Sequence, residues 1–568
     1  MTHEKRKQLR TMAVYILLIC AFTGGGLWFR GHPLFTGQGL RIGRQSAAPA
    51  EPVSTYTPYE AAVYSEATLA APVEVKSAES IIRFHTVDRA VVFTFSGLGN
   101  EQELRSVLDA LQKTDSRATF FVTADELARY PEMIEEITRA KQELGIAFKP
   151  SESDTADTIQ QTLQAQAQTL RKQYGASYEL FVRPAFGTGS AALLQAAARG
   201  GMRVLSQLKE AVPEKVSRMT DPEKILAETF NDNEGMLQRG EIVHFQMGLF
   251  QYSDTVLGDL VEKLIAEKCC YPVCAASKVA GNTRALYTYP VPEDSILPEV
   301  KNKVYPGHLA GKTPEEIYEV IRAGYIGIDW VLSSYFLPGF SEGQAARLDK
   351  SGLLENDDND VFLTFDDWGT DETVDKLLTV LEKHDAIATF FVKTEHVPSN
   401  PNLLRAIAAA GHTIGAHSHK HLPLSNQIYP TYFEELDEEQ RQVIEDDIVQ
   451  CYNTLQSIVG DMVDEYGKPS LSRLFRPPTL AVGRNGLETV FDCGYTHSVS
   501  GYYTSSDYKA ESAATLAAEL KPKIKSGSII VMHFSDTAQY TADALDLLLT
   551  ELEESGQEFH FVGLNKVL

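Results

Sequence analysis

The chain has 568 residues, 43 % apolar and 23 % charged, an ordinary globular composition that excludes a wholly disordered, collagen-like or polytopic membrane protein. Its 52 basic and 77 acidic residues leave a net charge of −25, a surface that repels phosphate backbones, so no nucleic-acid partner is expected. Six cysteines are too few for a disulfide-scaffolded mini-protein, and the length predicts two to four domains.

Lys5, Arg6, Lys7 and Arg10 precede an apolar run from Met12 to Phe29. At 1.5 Å per residue the run spans about 27 Å, enough for a bilayer core. Residues 1–30 therefore read as a cytoplasmic tip and a signal-anchor helix, with the rest of the chain extracytoplasmic and the protein a single-pass one of the cell membrane. A cleaved signal peptide is the competing reading. Residues 31–78, rich in Ala, Pro, Ser and Thr, read as an extended linker. Cys20 lies in the apolar run, which leaves five cysteines outside it, an odd number, so at least one is unpaired within the chain.

From residue 79 onward the chain repeats itself. Val91–Phe95 (VVFTF) matches Val361–Phe365 (VFLTF), and Ala118–Val122 and Ala388–Val392 are both ATFFV. Leu108/Leu378, Lys113/Lys383 and Asp115/Asp385 keep the same register, while Arg183-Pro184/Arg476-Pro477 and Gly201/Gly494 share a second one. Such agreement marks an internal duplication, with copies over 79–280 and 356–568. In the second copy a strand at Val361–Phe365 leads to a helix at Glu372–Lys383, a strand at Ala388–Val392 and a helix at Asn402–Ala410 closed by Gly411. Alternating short strands and helices predict a parallel sheet or barrel, with chemistry at the strands' C-terminal ends. Residues 281–355, with Pro290, Pro292, Pro298 and Pro306 followed by a helix-like Thr313–Ala323 run, read as an interdomain connector.

Chemistry-bearing residues fall at those strand ends. Asp366 and Asp367 close the first strand of the second copy, where one carboxylate can bind a cation and the other can act as a base. His417 and His421 are four residues apart and would share a face on a helical turn. His419 would serve in place of either if the segment is extended. Arg476-Pro477-Pro478 fixes a rigid turn, and Thr479 is the first residue after it with an N–H to donate. Asp507-Tyr508 lies in a polar loop, and the strand Ser528–Met532 (SIIVM) ends at His533.

Thr364–Asp367, His417–His421, Arg476–Pro478, Asp507-Tyr508 and Val531–His533 stand in the order of the five motifs of the polysaccharide deacetylase family (NodB-homology domains, carbohydrate esterase family four), which the second copy resembles. The resemblance implies two tandem distorted (β/α) barrels and metal-dependent hydrolysis of N-acetyl groups on a glycan, with peptidoglycan N-acetylglucosamine as first substrate. It implies Asp367, His417 and His421 as ligands of a divalent cation, zinc first, with cobalt, nickel or manganese open to the same donors. Asp366 would deprotonate water, and Arg476 would orient it and lower its pKa. Thr479 N–H would steady the oxyanion, and His533, charged by Asp507, would protonate the leaving amine. Tyr508 for Trp, Val531 for Leu, Thr479-Leu480 for an aromatic-Gly pair and Trp368 for Gly depart from the family pattern. The first copy has Ser96, Gly97, Ala147 and Ser151 where the second has Asp366, Asp367, His417 and His421, and Gln246 where it has His533. It keeps Arg183-Pro184 and, close by, Phe186-Gly187, and reads as a non-catalytic copy. Two alternatives stand beside the N-deacetylase: an O-acetyl esterase acting on a polysaccharide, and an anchored glycan-binding or scaffold protein without activity.

Overall fold

The computed structural model describes residues 80–568 except 177–179, 186, 188, 231–234, 329–336, 430 and 431. The Met12–Phe29 run and the 31–78 linker lie outside the described residues, as does Phe186. Among the described residues no helix is long and apolar enough to cross a membrane, and the expected single-pass membrane placement is corrected accordingly. All five cysteines outside the apolar run are free.

Each copy builds one nine-stranded sheet, and the two sheets have the same strand order. In the second the path runs Tyr325–Ile326, His497–Val499, Leu471–Phe475, Thr413–Ala416, Thr389–Val392, Asp360–Asp367, Ile529–His533, Tyr503–Thr504, with His560–Phe561 also paired to Asp360–Asp367. In the first it runs Ser80–Ile81, Arg203–Leu205, Phe181–Pro184, Glu143–Phe148, Thr119–Val122, Val91–Ser96, Ile242–Gln246, Lys209–Glu210, with Val273–Cys274 beside Val91–Ser96. Every ladder in both sheets is parallel. Among the described residues no ladder joins the two end strands, so each sheet is an open half-barrel where a barrel was expected. A parallel sheet covered on both faces needs strands apolar on both faces, and Val361, Phe362, Leu363 and Phe365 are all fully buried.

The helices follow from their apolar stripes. Val374, Leu377, Leu378 and Leu381 repeat at helical spacing and are the buried side of Asp371–Lys383, with Asp371 and Glu372 in the first turn and Lys383 in the last. Truncating Leu381, which is fully buried, would cost about 2–5 kcal/mol. The next helix spans Pro401–Ala409, and Gly411 follows it at φ 86°, a turn that glycine makes without strain.

The 281–355 segment does more than connect. Tyr325–Ile326 forms the edge strand of the second sheet, pairing with His497–Val499, and Pro314–Gly324 is a helix opened by a Thr313/Glu316 capping box. Val291, Val300, Val304, Tyr318, Ile321 and Leu337 are buried in the same core as the second copy's strands. The first copy has a separate main core of its own.

Candidate active site

The strand Asp360–Asp367 carries Asp366 and Asp367 to its C-terminal end. Asp366 is buried, and its Oδ1 accepts from Arg476 Nη1 at 2.7 Å. Arg476 itself is wholly buried. Its Nη1 also donates to Thr364 Oγ1 at 2.7 Å and its Nε to the Val499 carbonyl at 3.0 Å. The guanidinium lies 4.1 Å from the Phe391 ring centre. That ring needs room: a Cβ at position 415 would sit 2.7 Å from it, so Gly415 is what lets the next strand pass so close. Burial is the largest influence on Asp366 and raises its carboxyl above the ordinary value, although Arg476 pulls it down. The expected lowering is thus outweighed by desolvation.

Asp367, His417 and His421 converge. Their ligand atoms all lie within 4.8 Å of one another, the one such group of three or more His, Cys, Asp or Glu among the described residues. Asp367 Oδ1 is 3.8 Å from His417 Nε2 and 3.6 Å from His421 Nε2. Ligands tetrahedrally placed about 2.1 Å from one ion stand about 3.4 Å apart, so these separations fit a divalent cation. The His417 tautomer fits too: its Nδ1 bonds the Arg476 carbonyl at 2.9 Å, which can only accept, so the proton sits there and Nε2 keeps its lone pair. Burial pushes the His417 pKa down to about 3 and lowers that of His421, which keeps both imidazoles neutral and able to ligate.

The two histidines do not meet on a helix. The strand Thr413–Ala416 ends, and the chain turns through left-handed backbone at Ser418 (φ 63°) and His421 (φ 62°). His419 turns away, its Nδ1 at 3.0 Å from Thr394 Oγ1 and its Nε2 at 3.2 Å from Gln450 Nε2. Asp447, on the helix Glu438–Val459, fastens this loop by accepting from the N–H groups of His419 and Lys420 at 2.6 and 2.9 Å. Asp447 had no signal in the sequence, because it lies 26 residues beyond His421 in an acidic, polar stretch. Thr364 was visible only as a motif letter, and its bond to Arg476 gives it a place.

His533 ends the neighbouring strand, directly opposite Asp366 in the ladder. Its Nδ1 is 2.7 Å from Asp507 Oδ1. Asp507 Oδ2 accepts from His533 N–H at 2.7 Å and from Thr541 Oγ1 at 2.8 Å, so this buried carboxylate is held on both oxygens. Burial alone would lower the His533 pKa. The Asp507 bond and charge, with Asp366 and Asp367 beyond, outweigh it and push the value up to about 9. Tyr508 stands edge-on to the His533 ring, 5.5 Å between centres. Thr479 sits in the turn after Arg476-Pro477-Pro478 with left-handed backbone at φ 58°, and no described contact joins it to the other site residues.

The first copy has the same scaffold with other side chains. Ser96 stands opposite Gln246 as Asp366 stands opposite His533. Ser96 Oγ bonds Gln246 Oε1 at 2.9 Å and His244 Nε2 at 3.0 Å, and Arg183 Nη2 reaches Gln207 rather than the Ser96 position. A Cβ at Gly97 would meet Gln246 Nε2 at 2.2 Å, so Gln246 occupies the space beside the vanished carboxylate.

Asp367, His417 and His421, which could hold a cation, and the Asp366–Arg476 and His533–Asp507 pairs lie at the C-terminal ends of several strands of one sheet, the kinds of group that hydrolytic centres use. Residues 85–205 and 354–498, one segment in each copy, both match the sequence model described as "Polysaccharide deacetylase", the family that the sequence resembles. Among curated relatives it is 27 % identical over 189 residues to the uncharacterized protein YlxY of Bacillus subtilis, covering 33 % of this chain and 51 % of that protein. It is 28 % identical over 199 residues to the peptidoglycan-N-acetylglucosamine deacetylase PgdA of Listeria monocytogenes, covering 35 % and 37 %. It is 29 % identical over 219 residues to a peptidoglycan-N-acetylglucosamine deacetylase of Bacillus cereus, covering 38 % and 91 %. The chain thus spans about half the length of the first of these relatives and less of the second.

Proposed function

We propose that the second copy is a metal-dependent deacetylase that removes N-acetyl groups from a glycan, with peptidoglycan N-acetylglucosamine as the first substrate to test. The observation that carries this reading is the cluster of Asp367, His417 and His421 in one sheet with the Asp366–Arg476 pair and the His533–Asp507 pair. A divalent cation held by those three ligands would supply Lewis acidity, lowering the pKa of water and polarising the acetyl carbonyl. Zinc is the first choice, and cobalt, nickel and manganese suit the same donors.

The chain's own groups then divide the proton work. Asp366, oriented by its bond to Arg476, accepts a proton as water adds to the acetyl carbon. His533, protonated through Asp507, gives a proton to the glycan nitrogen as the C–N bond breaks, so that an amine and acetate leave. An amide anion is too basic to depart unaided, which is why an acid with a raised pKa suits this position. The Thr479 N–H is the proposed donor to the oxyanion, a role worth about 3–4 kcal/mol.

The test is acetate release from N-acetylglucosamine oligomers and from peptidoglycan by the full chain supplied with zinc. Release is expected from the wild type and not from Asp366→Asn or His417→Ala. Undiminished release by both variants would overturn the reading.

A further inference from the structure

The contact between the two copies reaches the loops that carry the cation ligands. Arg239 of the first copy is 2 % exposed, and its whole guanidinium is engaged. Nε donates to Asp371 at 3.0 Å, Nη2 to Asp375 at 2.6 Å and to Tyr271 Oη at 3.1 Å, and Nη1 to the Val87 carbonyl at 2.7 Å. Tyr271, also of the first copy, donates to Asp371 at 2.8 Å and bonds Asp375. Asp371 is likewise 2 % exposed, and its other oxygen accepts from Asn400.

The positions of these partners in the second copy give the contact its meaning. Asp371 is the first residue of the helix that follows Asp366 and Asp367, four residues past the strand's end. Asn400 precedes the helix Pro401–Ala409, whose following strand delivers His417. Two residues on, the buried side chain of Asn402 donates to the carbonyls of Phe84 and Arg239 at 2.9 and 2.8 Å and accepts from Thr86 N–H at 3.1 Å. Gly240 makes this approach feasible: its φ is 74°, and a Cβ there would stand 2.1 Å from the Phe84 oxygen. From the other side Asp536, three residues after His533, accepts from Thr370 N–H, Thr370 Oγ1 and Thr373 Oγ1 at 3.0, 2.8 and 2.7 Å. The first turn of one helix therefore ties together the segments bearing Asp367, His417 and His533, and Arg239 holds that turn from the non-catalytic copy.

We infer that Arg239 is a positioning residue, through which the first copy fixes the spacing of Asp367 relative to His417 and His421 in the second. The inference rests on the reading of that cluster given above. A buried guanidinium with five fixed donors holds two carboxylates in a defined geometry, which a flexible ammonium does not reproduce. Without it buried Asp371 would keep only its neutral partners Tyr271 and Asn400, and half-buried Asp375 only Tyr271 and the longer Arg89 contact, so the pair would lose its buried counter-charge and draw toward water, taking the adjoining loop with it.

The test uses the full chain and cobalt(II) as probe, in wild type, Arg239→Met, Arg239→Lys and the milder Tyr271→Phe. Arg239→Met is expected to bind cobalt about tenfold or more weakly with an altered visible spectrum, with Arg239→Lys and Tyr271→Phe between it and wild type. Hydrogen exchange is read on the same proteins without metal. Faster exchange is expected at Trp368, Gly369 and His417–His421, with the first copy's strands unchanged. If Arg239→Met is unfolded, Tyr271→Phe decides. Wild-type cobalt affinity, spectrum and exchange in the folded variants would overturn the inference. Failure of the wild type to bind cobalt would instead count against the reading of the cluster, and the exchange pattern would still decide whether Arg239 holds those loops.

Discussion

Asp366 and His533 face each other across one parallel ladder, the last register pair of their two strands. Neighbouring strands are about 4.8 Å apart, so the sheet itself fixes the distance between the proposed base and the proposed acid. The same register in the first copy brings Ser96 to Gln246, two groups that can neither take nor give a proton at neutral pH.

His533→Ala should separate amide from ester chemistry. An amine needs a proton to leave, whereas a nitrophenolate does not. Loss of the imidazole is expected to lower the rate on N-acetyl glycans by about 10²–10⁴-fold and to leave p-nitrophenyl acetate cleavage far less changed. Parallel rate measurements on the two substrates check this, and equal losses would remove His533 from the role of acid.

Asp507→Asn should move the alkaline limb of the pH–rate profile. With His533 raised to about 9, the protonated acid persists at neutral pH and is lost as pH rises through that value. The stability gained from the pair has the same sign. It is fully present below the unfolded value of about 6.5 and disappears toward pH 9. With Asn at 507 burial dominates, and both the kinetic limb and the loss of stability shift to lower pH. The kcat profile and thermal midpoints across pH 6–10 measure the two shifts.

Asp367→Gly should stabilise the fold while abolishing cation binding. Asp367 sits at φ 83°, and its counterpart Gly97 adopts φ 91° with no Cβ to strain. Relief of that backbone is expected to add about 1 kcal/mol. Thermal unfolding without metal and a cobalt titration read the two effects, and a lower midpoint would show that Asp367 is not strained.

Ser96→Ala should damage the first copy without touching the reaction. Ser96 Oγ and Thr94 Oγ1 are the partners of the two nitrogens of buried His244. Losing one of them costs about 1–3 kcal/mol. The midpoint should fall while kcat and KM on N-acetyl oligomers stay at wild-type values. A kinetic loss at full folding would give the first copy a direct part in catalysis.

Much of the site is legible in the sequence because its signals are local. Asp366-Asp367 follow a β-branched run, His417 and His421 are four residues apart, and the 371–383 helix begins within one residue of its periodic pattern. The path of the 417–421 loop is hidden, because left-handed backbone at Ser418 and His421 is set by Asp447 at a distance and not by local propensity. The 281–355 segment hides its role for another reason. Its buried residues, such as Val291, Val300 and Val304, come singly between prolines and polar residues and so show no period. Arg239 and Asp371 are 132 residues apart, and nothing near either predicts their meeting.

The joint made by Arg239 is one-directional. It brings the N-terminal end of one sheet's strands to the crater-side flank of the next, a head-to-tail contact that could in principle repeat without end and grow a filament. Aligning Gly240 with Gly527 puts Ser526 where Arg239 would be needed on the second copy. In the shared register of the two ATFFV strands, Glu101 and Arg105 replace Asp371 and Asp375 on the first, and they pair with each other on the surface. Neither outer face carries its half of the lock, so the contact that Arg239 makes between the copies cannot be repeated by a second molecule of this chain.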